Sequence, residues 1–247
     1  MDRGYECHVC GRTYGAGLVR VPRAWGRGGD AMEEAANLPL SFPETGVVIE
    51  ASLGEQTLAV ASDLPERPVV LGGCCCVHIG AVEGLTARHE RVAVLWLDAH
   101  GDLNTPESSP SGNPWGMPLR TLIEDGAVAI DDVALIGARD LDPPEEDYIE
   151  RNGLGLGETG MRRALTGVDG VYVALDWDVL DPEDGLAFFS VPDGLRLDEV
   201  EELLREVAER VPVLGFGISG LVPDPANVAK IELLASALGL SPAAERH

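Results

Sequence analysis

Two short groups of side chains in this sequence have the types and spacing of metal ligands. Asp98, His100 and Asp102 alternate in DAHGD, and Asp176 and Asp178 alternate in DWD. Each group follows directly on an apolar run, VAVLWL in the first case and VYVAL in the second. In an extended backbone residues i, i+2 and i+4 point to the same side, so each group presents its donors together. Four carboxylates and an imidazole converging at neighbouring strand ends would repel one another severely without a cation. Oxygen-rich ligation with a single imidazole suits Mn²⁺ better than a thiolate-rich zinc site does. A single Asp at a strand end is ordinarily a cap or turn residue; two alternating groups, each after its own apolar run, imply a metal site.

The elements that must position these residues are legible as well. Short apolar runs at residues 68–71, 92–97, 133–136, 171–175 and 213–218 read as buried parallel strands. Helical periodicity lies between them, clearest over residues 196–210 (RLDEVEELLREVAER) and 225–238. Strands alternating with helices predict an α/β fold of three layers, a mostly parallel sheet with helices on both faces. Ligands of such sheets sit at the carboxyl ends of the strands, which is where Asp98 and Asp176 fall. One domain over residues 1–247 is expected, with the first 45 residues showing no comparably clear pattern.

Composition narrows the function. With 42 acidic against 18 basic residues the formal charge is −24, and Lys230 is the sole lysine. Nucleic acid is a poor partner for that surface; solubility is its ordinary meaning. No apolar run approaches the ~18 residues of a membrane span, and the start lacks the apolar core of a signal peptide, so no membrane association and a cytoplasmic location are expected. Cys74, Cys75 and Cys76 are consecutive and do not form a disulfide framework, which points to reduced thiols. Cys7 and Cys10 enclose His8 in a CxxC that could be half a zinc site, but no second CxxC follows.

The segment DAHGDLNTPESSPSGNPWGMP (residues 98–118) resembles, along its whole length and without a gap, the second signature of the ureohydrolase family of arginases, agmatinases and formimidoylglutamases. DWDVLDP (residues 176–182) resembles the third signature, and GARDLDPPEEDYI (residues 137–149) is similar to the arginase segment between them. Gly72-Gly73 matches the start of the first signature. Similarity runs over residues 68–238 and is greatest to the arginases; the N-terminal segment departs from the family. The resemblance implies an arginase-like fold and a two-manganese site. Asp98 and Asp176 would bridge, His100 and Asp178 would complete one metal, and Asp102 with a histidine would complete the other. It also implies a homo-oligomer, a trimer or hexamer. Asn104, Ser111 and Asn113 match the positions that contact a substrate's α-carboxylate, and Asp142 and Glu145 match those near its α-amino group.

Three departures fall at the reacting end. Where the family reads GGDHS, this chain reads Gly72-Gly73-Cys74-Cys75-Cys76, so Cys75 stands in the place of a histidine ligand. A thiolate binds divalent metals but shifts preference away from Mn²⁺. His78 is the nearby imidazole that could compensate; His8, His89 and His247 lie outside any motif. Trp115 replaces a histidine thought to shuttle protons, and indole cannot titrate. Gly220 replaces a glutamate that holds the guanidinium group. Phe188 and Phe189, in place of a small glycine-containing loop, are expected in the core.

The expected activity is hydrolysis of a C–N bond in a guanidino or amidino compound, with an α-amino-acid-like substrate favoured. Two divalent ions about 3.5–4 Å apart lower the pKa of a bridging water. Asp102 would orient the resulting hydroxide and pass its proton to the leaving amine, and His100 is the second residue expected in the catalytic machinery. The alternative is a catalytically weak or inactive family member that binds metal or an amino-acid-like ligand in a regulatory role.

Overall fold

The computed structural model describes residues 16–242, together with the backbone of Tyr5–Glu6 and Thr13–Tyr14. The CxxC at Cys7 and Cys10, with His8, lies outside the described residues. The strands are β1 (Tyr5–Glu6), β2 (Thr13–Tyr14), β3 (Gly17–Val21), β4 (Glu44–Val47), β5 (Pro68–Gly72), β6 (Val92–Leu97), β7 (Val133–Ile136), β8 (Gly155–Leu156), β9 (Gly170–Asp176) and β10 (Val213–Ser219). The helices are α1 (Asp30–Ala35), α2 (Leu53–Asp63), α3 (Val77–Thr86), α4 (Pro118–Glu124), α5 (Pro143–Asn152), α6 (Gly157–Ala164), α7 (Leu197–Arg210) and α8 (Ala226–Ala237). β1 and β2 pair antiparallel. The other eight strands form one parallel sheet in the order β4-β3-β5-β10-β9-β6-β7-β8.

All five apolar runs are strands, and each is buried because both faces of the sheet are covered. Alternate residues feed two cores. On one face Leu95 and Leu97 of β6 and Val173 and Leu175 of β9 pack with Val200, Leu204 and Val207 of α7 and Ile231 and Leu234 of α8. On the other face Val94 and Trp96, Tyr172 and Ala174 pack with α2, α3, α4 and α5. The i, i+4, i+7 spacing of Val200, Leu204 and Val207 gives α7 its single apolar stripe.

The N-terminal region contributes more than its sequence pattern suggested. β3 and β4 extend the sheet beyond β5, and α1 packs onto it through Ala35. Arg20 hides β3 in the sequence, since a guanidinium interrupts the apolar run GLVRV. In the fold it is buried and satisfied, donating to the carbonyls of Ala36 (2.8 Å) and Leu38 (2.9 Å) and to Glu44 Oε2 (2.6 Å).

α3 carries the loop after β5 into register, and it lies close against α2 because two glycines face that helix. A Cβ on Gly80 would stand 2.6 Å from Thr57 O, and one on Gly84 would stand 2.7 Å from Ala61 O. Gly80→Leu is therefore expected to lower stability by about 1–3 kcal/mol through overpacking, read as a lower urea midpoint. Gly54→Ala, at a helical position with open space around its Cβ, should leave the midpoint unchanged or raise it; equal losses in the two variants would contradict this account of the interface.

Candidate metal centre

The site occupies the carboxyl ends of four adjacent strands. The alternation that places Trp96 on the α2–α5 face places Asp98, two residues on, at the same face, and Trp96 Nε1 donates to Asp98 Oδ2 at 3.1 Å. By the same count Tyr172 and Ala174 lead to Asp176 in β9, and Gly217 leads to Ser219 in β10. The backbone then ties the two sequence groups together. Asp98 Oδ1 accepts from His100 N (2.7 Å), Asp178 Oδ1 from Ala99 N (3.0 Å), and Asp176 Oδ1 from Asp178 N (3.1 Å). His100 Nδ1 lies 3.0 Å from Asp178 Oδ2 and 3.4 Å from Asp98 Oδ1. Arg139 secures the loop beneath, donating to the carbonyls of Asp178 (2.7 Å) and Val191 (2.8 Å).

The residues offer two metal-ligand sets that share Asp98. Donor atoms of Asp98, His100 and Asp178 lie within 4.8 Å of one another, and so do those of Cys75, Asp98 and Asp102. The second set depends on two backbone features. Asp102 has φ of +51°, a left-handed conformation that short acidic residues tolerate better than most. Gly73 lets the chain leave β5 sharply, since a Cβ there would sit 2.3 Å from Pro22 O. Asp176 lies between the sets, its Oδ2 accepting from Cys75 Sγ (2.8 Å) and from Ser219 Oγ (3.2 Å).

Electrostatics show what this arrangement needs. Burial, with the Asp178 charge beside it, pushes Asp176 up to about 7; burial and the Asp98 charge push Asp178 up to about 6. Asp98 is raised by burial and then by Asp176, and Asp102 is raised further by burial, Asp98 and Asp176. Burial would lower His100, yet its hydrogen bonds to Asp178 and Asp98 push it up to about 12. Burial and the charges of Asp102, Asp176 and Asp98 push the Cys75 thiol up. Asp102 Oδ2 is buried with no hydrogen-bond partner, a costly state for a carboxylate oxygen. An unpartnered acceptor and carboxylates that resist ionisation both fit a cation, and the residues present fit two.

A cavity of about 240 Å³ opens onto these groups. Asn104, Ser111, Asn113, Asp142 and Glu145, expected at the amino-acid end of a substrate, all line it. Several are already engaged. Asn104 Nδ2 donates to Asp142 Oδ2 (2.8 Å), Asn113 Oδ1 accepts from Arg27 N (3.1 Å), and the two oxygens of Glu145 accept from Leu103 N (2.9 Å) and Asp142 N (3.0 Å). Asp140, which sequence reasoning passed over, also lines the cavity, with Oδ2 3.7 Å from His100 Nε2. Only the fold reveals it, because it lies in the loop after β7.

Three expectations change. His78 does not stand in for the missing histidine: α3 begins at Val77 and turns the ring into the core, with Nδ1 2.9 Å from Tyr172 Oη and Nε2 3.2 Å from Ser219 Oγ. Phe189 is not a core residue; it is half exposed and lines the cavity, in ring contact with both Phe188 and Trp115. Gly220 is more than a missing glutamate. Its φ is +70°, and a Cβ there would fall 2.1 Å from Asp176 Oδ1, so this backbone excludes any side chain. Ser219 also went unnoticed in the sequence, although its period-2 spacing from Gly217 marks the face it shares with Asp176.

The raised acids set the pH dependence of the cation-free protein. Folded Asp176 and Asp178 keep protons that an unfolded Asp loses at about 3.9, so stability falls as pH rises from about 4 through about 6 and 7. His100 acts in the same sense at higher pH, since its raised folded pKa contributes stability that is lost from about 6.5 upward. Bound cations replace those protons. The melting temperature of chelator-treated protein should fall between pH 5 and 7.5, and added Mn²⁺ should raise it more at pH 7.5 than at pH 5; equal shifts at both would contradict the assignment.

The profile of the Arginase family matches residues 31–241, reaching back past residues 68–238, where motifs are legible. The chain is 36% identical to the arginase of Bacillus caldovelox over 163 residues, 54% of each chain, so it matches about half the length of that relative. It is 32% identical to the arginase of Brevibacillus brevis over 217 residues, 74% of this chain and 72% of the other. The crystal structure of arginase from Bacillus subtilis superposes with a TM-score of 0.75 at 26% identity, covering 91% of this chain and 98% of that one. Among the described residues no helix is long and apolar enough to cross a membrane. With the profile spanning most of the chain and the family's ligand motifs meeting at the strand ends, this chain belongs to the arginase family.

Proposed function

We propose that the protein hydrolyses a C–N bond of a small guanidino or amidino compound at a pair of divalent cations, with Mn²⁺ held by Asp98, His100, Asp176 and Asp178. The observation that carries this reading is the unpartnered, buried Oδ2 of Asp102 beside two ligand sets that face one cavity. Divalent cations in such a cluster supply activation of water for attack on a planar carbon. Asp98 and Asp176 hold the cations from their shared strand ends. Asp102 orients the attacking water, takes its proton and returns it to the departing nitrogen. A cavity of about 240 Å³ over these residues has room for a small substrate.

The substrate reading follows from the walls of the cavity. Asn104, Ser111, Asn113 and Asp142 supply polar contacts for an amino-acid-like end, while Trp115 and Phe189 form an apolar wall near the metal ligands. No side chain extends from Gly220 to pair with a guanidinium, and an unpaired cation there costs several kcal/mol. A neutral or smaller amidine suits that end better than arginine does.

Urea release from arginine, agmatine and guanidino acids, measured with metal content, tests the proposal. Loss of one charge-assisted hydrogen bond, about 1.5–3 kcal/mol, should leave arginine turnover about 10- to 100-fold below that of an ordinary arginase. Asp98→Ala should abolish both metal uptake and hydrolysis, since its carboxylate serves both sets. Efficient arginine hydrolysis by the unmodified protein would show that another carboxylate fills the role, with Asp140 the first to replace. Gly220→Glu is not a route to restoring activity, because its Cβ collides with Asp176.

A further inference from the structure

We propose that the two metal positions take different metals: the set of Cys75, Asp98 and Asp102 binds a thiolate-preferring cation of the Zn²⁺ class through the sulfur of Cys75, while the His100 set takes a harder cation such as Mn²⁺. This rests on the reading of the site as a two-cation centre. The sulfur is placed for it. Cys75 Sγ lies in the donor cluster, is buried, and belongs to a free thiol. Asp102 belongs to the same set, and its buried Oδ2, which has no hydrogen-bond partner, is an independent sign that a cation fits there.

The neighbouring cysteines do not compete for the role. Cys74 Sγ accepts from Trp25 N at 3.4 Å and lies 4.0 Å from Arg23 O, turned toward the N-terminal loop. Cys76 packs with Cys74, Met32 and Ala24 in a separate apolar cluster. Among the three, Cys75 alone reaches the carboxylates. Its sulfur now donates to Asp176 Oδ2 at 2.8 Å and lies 3.3 Å from Ser219 Oγ. When a cation binds, the thiol proton is released to solvent and the sulfur lone pair forms the metal bond. Asp176 is then freed from that hydrogen bond and keeps the one that the Ser219 hydroxyl donates.

The charge and softness of the donors separate the two positions. A thiolate with two carboxylates favours Zn²⁺ or Fe²⁺, whereas carboxylates with one imidazole accommodate Mn²⁺. A histidine in place of Cys75 would make the two positions chemically alike, with one fewer negative charge beside Asp102.

Co²⁺ is a direct probe, because a Co²⁺–thiolate bond gives an intense near-ultraviolet charge-transfer band. Chelator-treated full-length protein, titrated with Co²⁺ alone, should develop that band on binding one equivalent. One equivalent of Zn²⁺ should abolish it, while excess Mn²⁺ should leave it. Cys75→His should still bind two metals but show no band, with its fold checked by circular dichroism. Co²⁺ binding without the band, a band that survives in Cys75→His, or equal displacement by Mn²⁺ and Zn²⁺ would overturn the proposal. The competition in the unmodified protein decides the matter even if the variant does not fold. A thiolate band without any C–N hydrolysis would sink the proposed function and leave this inference standing, whereas hydrolysis with two manganese ions and no band would do the reverse.

Discussion

Asp98, Asp102, Asp176 and Asp178 bring four carboxylates out of water at the ends of two neighbouring strands, and a cluster of that kind is fully ionised only with positive charge among them. Every nearby feature bears on this constraint. Backbone N–H groups of Ala99, His100 and Asp178 and the Trp96 indole hold the oxygens in place. His100 supplies positive charge from one side, where Asp178 and Asp98 hold its proton. On the other side Asp102 Oδ2 has no donor at all. The cost of that oxygen is the strongest physical reason to place a cation there, because an ordinary buried acid would have found a hydrogen bond.

The departures from the family pattern pack against one another and against their surroundings. Trp115 lies flat against Gly26, where a Cβ would fall 2.1 Å from the indole ring. On its other side it meets Phe188 and Phe189, whose own rings stand edge to face with centroids 4.6 Å apart. A bulky indole in the place of an imidazole thus has a cleared seat and aromatic neighbours. Gly220 is matched to its surroundings in the same way, because its positive φ and lack of a side chain leave room for the Asp176 carboxylate. These are the contacts of a reshaped pocket, built beside the candidate ligand residues.

Much of this was legible in the sequence, and the exceptions have identifiable causes. Period-2 runs ending in Asp98 and Asp176 predict both the strands and the face on which these acids gather, because a strand fixes side-chain direction by counting alone. β3 escaped notice because Arg20 interrupts it, and the carbonyls that satisfy its guanidinium lie 16 and 18 residues away. His78 could compensate by sequence distance alone, but helix rotation decides where a side chain points; three residues beyond Cys75, the ring faces the core. Phe189 reads as a core residue, but it closes a cavity whose existence depends on loops far apart in the chain. Gly220 illustrates the limit of reading by substitution: the sequence reports only an absent glutamate, while the fold shows a backbone with no room for one.

Behind the metal ligands, Tyr172, His78 and Ser219 form a buried chain whose direction follows from the charge at its end. Burial lowers His78 to about 3 and raises Tyr172, so the ring is neutral, with one donor and one acceptor nitrogen, and the phenol keeps its proton. Two arrangements are open. If Ser219 donated to His78 Nε2, the Asp176 carboxylate would lose a hydroxyl donor at 3.2 Å. When Asp176 is ionised, the hydrogen bond to it is the stronger of the two, so Ser219 then donates to Asp176, Nε2–H donates to Ser219, and Tyr172 Oη donates to Nδ1. Gly217 makes this possible, since a Cβ there would fall 2.0 Å from the Tyr172 oxygen and 2.6 Å from the His78 ring. The Asp176 carboxylate therefore sets the tautomer of a histidine it does not touch.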